Sequence, residues 1–273
     1  MDKPPIYLVT ALQSEATPLI EHFRLKASAS RPFREYRSDH VHLMVTGMGK
    51  INAAAATAAL LHADADGRRG VGVNVGIAGH ASLALGEVFV AHRIADAASS
   101  KDWYPQMTFN PRCPSSELYT VDAPTEHYPD NAGVDMEASA YYAVATRYLS
   151  NELTQTVKVV SDTPEHPIAK LNKHVITDLV RAALPQITHV IERLVALASA
   201  QFDATGLAAL SQRYQERWRL SVNQQLQLSR LLERHHALSG SAPEPDTYAH
   251  LRQPKAMLHA LQADIAEQGL RFT

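Results

Sequence analysis

Four short segments place polar or acidic side chains where an apolar run ends. They are Ala11-Leu12-Gln13-Ser14-Glu15, Gly47-Met48-Gly49-Lys50-Ile51-Asn52-Ala53, Asn74-Val75-Gly76-Ile77-Ala78-Gly79 and Val134-Asp135-Met136-Glu137-Ala138, the last followed further on by Ser161-Asp162. Three of the carboxyl groups, Glu15, Glu137 and Asp162, are of a type that does chemistry without a metal. A carboxylic acid can protonate a leaving group, provided burial or a like charge raises its pKa toward neutrality. A carboxylate can hold vicinal hydroxyls and stabilise a developing cationic centre. Taken singly, each residue has a plainer reading. Glu15 is the kind of acid that a helix dipole favours in a solvated first turn. Asp162, before Thr163-Pro164, is an ordinary turn or cap former. The turn 47–50 is ordinary tight packing.

The elements around these residues give the segments a common setting. The β-branched and apolar run 6–10 reads as a buried strand, followed by a helix with Leu19, Ile20 and Phe23 on one face. Runs 41–46, 71–77 and 86–94 read as further strands, and the alanine-dominated stretch 51–61 as a helix small enough to pack closely on a sheet. Residues 96–117, with Pro105, Pro111 and Pro114, read as an exposed loop. A short strand at 118–121, another at 133–136, a helix at 137–149, a strand at 156–161 and a helix at 175–200 complete the pattern. Strands that alternate with helices predict a central mixed, largely parallel sheet in a three-layer α/β/α arrangement. Ligands of such sheets bind at the carboxyl ends of strands, which is where the four segments fall.

Beyond residue 200 the strand signals vanish. Leu207, Leu210, Tyr214, Trp218 and Val222, then Leu228, Leu231 and Leu232, recur at helical spacing, and a last helix is expected over 255–267. The expected organisation is therefore an α/β domain over 1–200 and a helical extension over 201–273. The apolar stripe of the extension reads as a face that packs on the core or on a second subunit.

Composition excludes several classes. Of 273 residues, 45% are hydrophobic and 20% charged, which excludes a disordered chain or a small disulfide scaffold. Lysine and arginine number 26 against 28 acids, a net charge of −2, so no global field draws the chain to nucleic acid or to an anionic membrane. Cys113 is the single cysteine and fits a reducing compartment. No apolar run reaches the roughly 20 residues of a membrane helix, and the N-terminus enters its first strand without a signal-peptide pattern. A cytoplasmic location is expected. His40 with His42, and His235 with His236, lack a third ligand at recognisable spacing, so no metal and no cofactor is expected. Arg213, Arg217, Arg219, Arg230 and Arg234, partly offset by Asp203, Glu216 and Glu233, read as a solvated helix face.

In order and register, the four segments resemble the nucleoside phosphorylase and nucleosidase superfamily, most nearly its methylthioadenosine/S-adenosylhomocysteine nucleosidase branch. The resemblance covers roughly residues 5–195. Its most specific parts are Val134-Asp135-Met136-Glu137-Ala138 and Val160-Ser161-Asp162. It implies cleavage of the N-glycosidic bond of a purine nucleoside or related compound. Asp162 then matches the acid at N7 of the base, with Ser161 beside it. Glu137 matches the holder of the ribose hydroxyls, Met136 the methionine on the ribose, and Glu15 the acid that positions water. Gly76, Ile77 and Ala78 match the lining of the base and sugar pocket. The resemblance also implies a homodimer or larger homo-oligomer.

The loop 10–15 favours hydrolysis over phosphorolysis, because it has neither the glycine nor the arginine of the phosphorylase branch and carries a carboxylate that would repel phosphate. Asn52 stands near where phosphorylases place a serine. Lys50, Ser14 and His80 are the candidates for an unorthodox anion site, which would make the chain a phosphorylase. A third reading is a catalytically idle, nucleoside-binding sensor or partner subunit. It draws on the departure between the fourth strand and Val134, where the base-recognition stretch is short and proline-rich. Phe109, Tyr119 and Trp103 are the aromatic side chains expected there as stacking partners for a base, against the plainer reading as partial core.

Overall fold

The computed structural model describes residues 3–28, 32–63, 70–167, 171–201, 204–239 and 241–269. They form two compact units, Lys3–Ala198 and a second from Ser199 onward. The expected acid Asp203 and the N-terminal Met1-Asp2 lie outside the described residues.

The first unit is built on ten strands: β1 (Ile6–Thr10), β2 (Lys26–Ala27), β3 (Arg34–Arg37), β4 (Val41–Val45), β5 (Val71–His80), β6 (Val88–Asp96), β7 (Lys101–Trp103), β8 (Ser115–Thr120), β9 (Ala132–Asp135) and β10 (Thr154–Asp162). Its helices are α1 (Gln13–Phe23), α2 (Lys50–His62), α3 (Ala138–Tyr148) and all but the last turn of α4 (Lys173–Gln201). Strand order is β10-β6-β8-β9-β5-β1-β4-β3-β2, with β7 on β6 and a further pairing of β10 with β5. That pairing closes β10, β6, β8, β9 and β5 into a barrel-like ring, from whose β5 side β1, β4, β3 and β2 extend. The fold is α/β with a mixed sheet and a helical C-terminal part. Closure of the sheet is the feature that the alternation of elements did not predict.

Burial explains the strands. Every residue of β1 and of β10 is buried, as expected for strands covered on both faces. Tyr7 and Val9 of β1 join Ala56, Leu60 and Leu61 of α2 and Tyr141, Tyr142 and Ala145 of α3 in one core. The small residues of α2 allow α2 and α3 to lie side by side. The stretch expected as an exposed loop, 96–117, also contributes β7 and the start of β8. Strand β3 and the edge strand β2 were not expected from the sequence.

The parallel pairings of β1 with β5 and of β5 with β10 bring three strand ends together. Strand β9, antiparallel to β5, pairs Val134 with Gly79. It delivers Asp135, Met136 and Glu137 to the same end of the sheet.

The second unit contains α5 (Ala204–Arg217), α6 (Val222–Ser239), a 3₁₀ turn (Pro245–Tyr248) and α7 (Pro254–Gly269). Its apolar stripe has a different use from the expected one. Leu207, Leu210, Tyr214, Trp218, Leu228 and Leu232 pack with Tyr248, Met257, Leu258, Leu261 and Ile265 into a core of the unit's own. Val222, expected in the stripe, is 72% exposed. The Trp218 indole donates to the carbonyl of Leu251 at 2.8 Å. Arg213 and Arg217 pair with Glu244 and Asp246 at the surface.

This core makes a stability prediction. Leu261 is fully buried, so Leu261→Ala should cost about 2–5 kcal/mol, read by chemical denaturation through the fluorescence of the neighbouring Trp218 in a Trp103→Phe background. A cost under about 1 kcal/mol would show that Leu261 is not a core residue.

Candidate active site

A cleft of about 620 Å³ opens at the gathered strand ends. It is lined by Ala11, Leu12 and Glu15 after β1, Ile77, Ala78 and Gly79 of β5, Val134 to Glu137 around β9, and Ser161 and Asp162 ending β10. Met48 closes one side, and Val121, Pro124, Thr125 and Tyr128 from the connection between β8 and β9 close another. Glu15, Glu137, Met136, Ile77, Ala78, Ser161 and Asp162, singled out in sequence, thus share one cavity. Gly76 lies behind it, and a Cβ there would come within 2.9 Å of Glu15 Oε1 and 3.3 Å of Lys158 Nζ. The glycine is what allows the Glu15 carboxylate to approach β5.

Glu15 is only 2% exposed, so it is no solvated first-turn acid. Its Oε2 accepts the backbone N–H groups of Ala11 at 2.9 Å and Leu12 at 2.8 Å, and its Oε1 accepts that of Ile77 at 2.9 Å. Burial raises its pKa above the ordinary carboxylate value, against the opposing pull of Lys158 and the three amides. Glu137 Oε1 accepts the N–H of Gly49 at 2.7 Å. Gly49 has φ +94°, a conformation that glycine adopts at little cost. Burial, and then the charge of Asp135, push the Glu137 carboxyl up to about 7.

Beneath these two acids lies an ion pair that the sequence reading missed. Lys158 Nζ meets Asp135 Oδ2 at 2.8 Å, both side chains nearly inaccessible. Burial alone would lower the lysine's pKa, but Asp135, Glu137 and Glu15 outweigh it and hold it above its ordinary value. Asp135 is satisfied on both oxygens. Oδ1 accepts the Thr120 hydroxyl at 2.8 Å, and Oδ2 also accepts the N–H of Ala138, the first residue of α3, at 2.8 Å. A lysine inside the apolar run 157–160 was the available sequence signal, since a buried cation needs a partner.

Asp162 stands opposite Gly79 across β5 and β10, after a bulge at the end of β10. Its Oδ1 accepts the Ser161 hydroxyl, and its Oδ2 accepts the Tyr128 hydroxyl at 2.6 Å. The plain reading of Asp162 as a turn former does not describe this side chain, which is buried and held by two hydroxyls.

The expected anion site is not assembled. Lys50 is paired with Asp122 at 2.7 Å and Asp96 at 3.1 Å. The buried Ser14 contributes its carbonyl to the Thr177 hydroxyl at 3.0 Å. His80 Nδ1 accepts the N–H groups of Ser82 and Leu83, each at 3.1 Å, which assigns the ring proton to Nε2 facing Ser116 Oγ at 2.9 Å. Burial lowers the His80 pKa, in keeping with a neutral structural ring. None of these three side chains lines the cleft.

The expected stacking aromatics are also elsewhere. Trp103 packs on the hydrophobic core, and Tyr119 lies under the Arg93 guanidinium at 5.5 Å. Neither these nor Phe109 lines the cleft, whereas Tyr128 does. Asn52 donates to the carbonyl of Met48 at 2.9 Å. Among the described residues no cluster of three or more His, Cys, Asp or Glu is arranged to hold a metal ion, and no helix is long and apolar enough to cross a membrane.

Solved structures share this architecture. The chain is similar to the 5′-methylthioadenosine nucleosidase of Arabidopsis thaliana in its apo form, at 19% identity and TM-score 0.62, over 71% of this chain and 97% of that one. It is similar to a futalosine hydrolase mutant of Helicobacter pylori strain 26695, at 11% identity and TM-score 0.58, over 70% and 99%. A third similar structure is the 5′-methylthioadenosine/S-adenosylhomocysteine nucleosidase of S. pneumoniae with a transition-state inhibitor, at 18% identity and TM-score 0.56, over 68% and 98%. These likenesses establish the fold, which is that of the nucleosidases. In sequence, no family model and no curated protein matches the chain.

The raised pKa of Glu137 predicts a pH-dependent stability. Below its ordinary value of 4.5 the group is protonated both folded and unfolded. As pH rises, the unfolded chain ionises first, so stability falls until the folded group ionises near 7. The contribution lost over that window is on the order of 3 kcal/mol. Glu137→Gln should flatten the wild-type decline between pH 4.5 and 7, measured by thermal unfolding at several pH values. Parallel curves for the two proteins would show that Glu137 titrates normally.

Proposed function

We propose that the Lys3–Ala198 unit is a nucleosidase that hydrolyses the N-glycosidic bond of a purine nucleoside or related compound. The observation that carries this reading is the convergence of Glu15, Glu137 and Asp162 in one cleft, with Lys158 buried beneath the first two.

In the proposed reaction the bond between the anomeric carbon and the base breaks, and its electron pair leaves with the base. Asp162 delivers a proton to the departing base. Glu137 holds the ribose hydroxyls, and its negative charge favours the oxocarbenium-like centre. Glu15 orients a water on the sugar and takes its proton as the oxygen bonds to the anomeric carbon. Met136 packs on the sugar, while Ile77 and Ala78 line it. Water is favoured over phosphate as the nucleophile because the three amides that surround Glu15 are already donated to a carboxylate. Lys50 and His80 support this choice, since both side chains are engaged by other groups of the protein. Homo-oligomerisation, which rests on the family resemblance, and a cytoplasmic location, which rests on the single cysteine and the apolar patterning, are part of the same proposal.

Two predictions test the reading. Free base and free sugar should form from a purine nucleoside in phosphate-free buffer, followed by product chromatography on a nucleoside panel. Strict dependence on phosphate, with a sugar 1-phosphate as product, would establish phosphorolysis, and binding without turnover would establish an idle sensor.

The second prediction concerns the leaving group. General acid assistance contributes typically 10²–10⁴-fold, so Asp162→Asn should depress kcat at least about a hundredfold on a purine nucleoside. A nitrophenyl riboside, whose leaving group departs without a proton, should lose much less. Glu137→Gln should slow both substrates, because the sugar is common to them. Equal losses on the two substrates in Asp162→Asn would remove Asp162 from the role of leaving-group acid.

A further inference from the structure

The connection between β8 and β9 is short, and among the described residues it carries the one aromatic ring that lines the cleft and bonds the carboxyl group at its base end. Tyr128 lies over Gly79. A Cβ at Gly79 would come within 2.4 Å of Tyr128 Cε1 and 2.5 Å of Asp162 Oδ2, so the glycine makes room for the phenol and the carboxylate side by side. The phenol donates to Asp162 Oδ2 at 2.6 Å, while Ser161 serves the other oxygen. Burial, and then Asp162, raise the pKa of Tyr128, so the phenol remains protonated and is the donor of this pair.

The strap is fixed at both ends. At its start the Val121 N–H bonds the carbonyl of Asp135 at 2.8 Å. At its end Asn131 sits at φ +54°, receives the Ser82 hydroxyl on its side chain at 3.0 Å, and receives the Ser116 hydroxyl on its carbonyl at 3.1 Å. Ser116 and Ser82 are themselves held by His80. A chain tied in this way presents Tyr128 to Asp162 in a defined place. Pro124 and Thr125 of the same strap line the cleft beside it.

We propose that Tyr128 is the positioning and base-specificity residue of this site: its hydroxyl orients Asp162 toward the leaving base, and its ring is the wall that limits which base reaches that carboxyl group. The inference rests on the nucleosidase reading. It assigns to the short strap the contact with the base for which Phe109, Tyr119 and Trp103 were the sequence candidates. Because Tyr128 acts through Asp162, its contribution depends on how much proton assistance the leaving group needs. Because its ring borders the base, ligand binding must change the environment of the phenol.

The test uses the full chain and Tyr128→Phe, which keeps the ring and removes only the hydroxyl. With an unchanged melting temperature, Tyr128→Phe should lower kcat on a purine nucleoside at least about tenfold more than on a nitrophenyl riboside. KM for the nucleoside should change less than kcat. Tyr128→Ala, which also removes the wall, should add a rise in KM and relax discrimination between purine and pyrimidine nucleosides. In parallel, free adenine added to the wild type should give a tyrosine ultraviolet difference spectrum that Tyr128→Phe abolishes. Equal losses on both substrates, no loss on either, or an adenine signal unaltered in Tyr128→Phe would each overturn the proposal. A wild type that cleaves no nucleoside sinks the nucleosidase reading, yet the adenine spectrum then still decides whether Tyr128 borders a base. No adenine binding at all overturns the proposal for Tyr128, while the nucleosidase reading stands or falls on cleavage.

Discussion

The site depends on burying Lys158 against Asp135. Taking two such ions out of water costs several kcal/mol each, and good geometry with further hydrogen bonds is what compensates. Here the geometry is good: the pair meets at 2.8 Å, and Asp135 has a hydroxyl and an amide as additional donors. An apolar pair of similar volume is often as stable in such a position, so stability alone is a poor reason for the arrangement. The lysine has another use. Its field reaches Glu15 and Glu137, and it offsets part of the cost of keeping two more acids in the same dry volume. With three carboxyl groups around one ammonium, burial still wins for Glu15 and Glu137, whose pKa values rise. The acids stand nearer neutrality than they would in water, which is the condition for moving protons in this pH range.

The strands exist to meet that constraint. Lys158 pairs in register with Gly76, and Asp162 with Gly79, along the β10 and β5 partnership that closes the ring. Each glycine removes a Cβ where a functional side chain must lie against the sheet: Glu15 and Lys158 at Gly76, Tyr128 and Asp162 at Gly79. Closure gives these contacts a rigid base, since both partners of the central pairing are held on their other edges as well. The cleft-lining groups on strand ends inherit that rigidity, whereas the strap after β8 must obtain it from hydrogen bonds to Ser82 and Ser116.

Much of this was readable from residue types, and the exceptions have physical reasons. Strands β1, β4, β5 and β10 announce themselves because strands buried on both faces become continuous apolar or β-branched runs. Strands β2, β3 and β7 do not, being short and polar. Closure of the sheet is a matter of register between β5 and β10, and nothing local in either run specifies it. Glu15, Glu137 and Asp162 could be singled out because each is an acid at or just after the end of a strand-like run, in segments that resemble the nucleosidase family. Tyr128 was not, since it sits in a polar stretch without periodicity, and its partner is distant in sequence. Lys158 was visible in principle, as a charge inside an apolar run. The stripe Leu207 to Leu232 gave its helices correctly, but spacing alone cannot say what covers a face, and the covering proved to be α7 and Tyr248 of the same unit.

On the proposed reading, the choice of nucleophile follows from how backbone amides are used. The start of α1 and the end of β5 present N–H groups of Ala11, Leu12 and Ile77 toward one point, with Lys158 close by. Convergent amides at a helix N-terminus form a ready anion site, and a bound phosphate would satisfy them well. In this chain the anion is covalently attached: the Glu15 carboxylate occupies all three donors at 2.8–2.9 Å. A phosphate would have to displace a buried carboxylate and then share the volume with it and with Glu137, at a repulsion that low local dielectric enlarges. A neutral water meets neither obstacle. It finds in Glu15 an acceptor whose pKa burial has raised, and therefore a better base for its proton. On the proposed reading, one residue excludes the competing nucleophile and activates the accepted one.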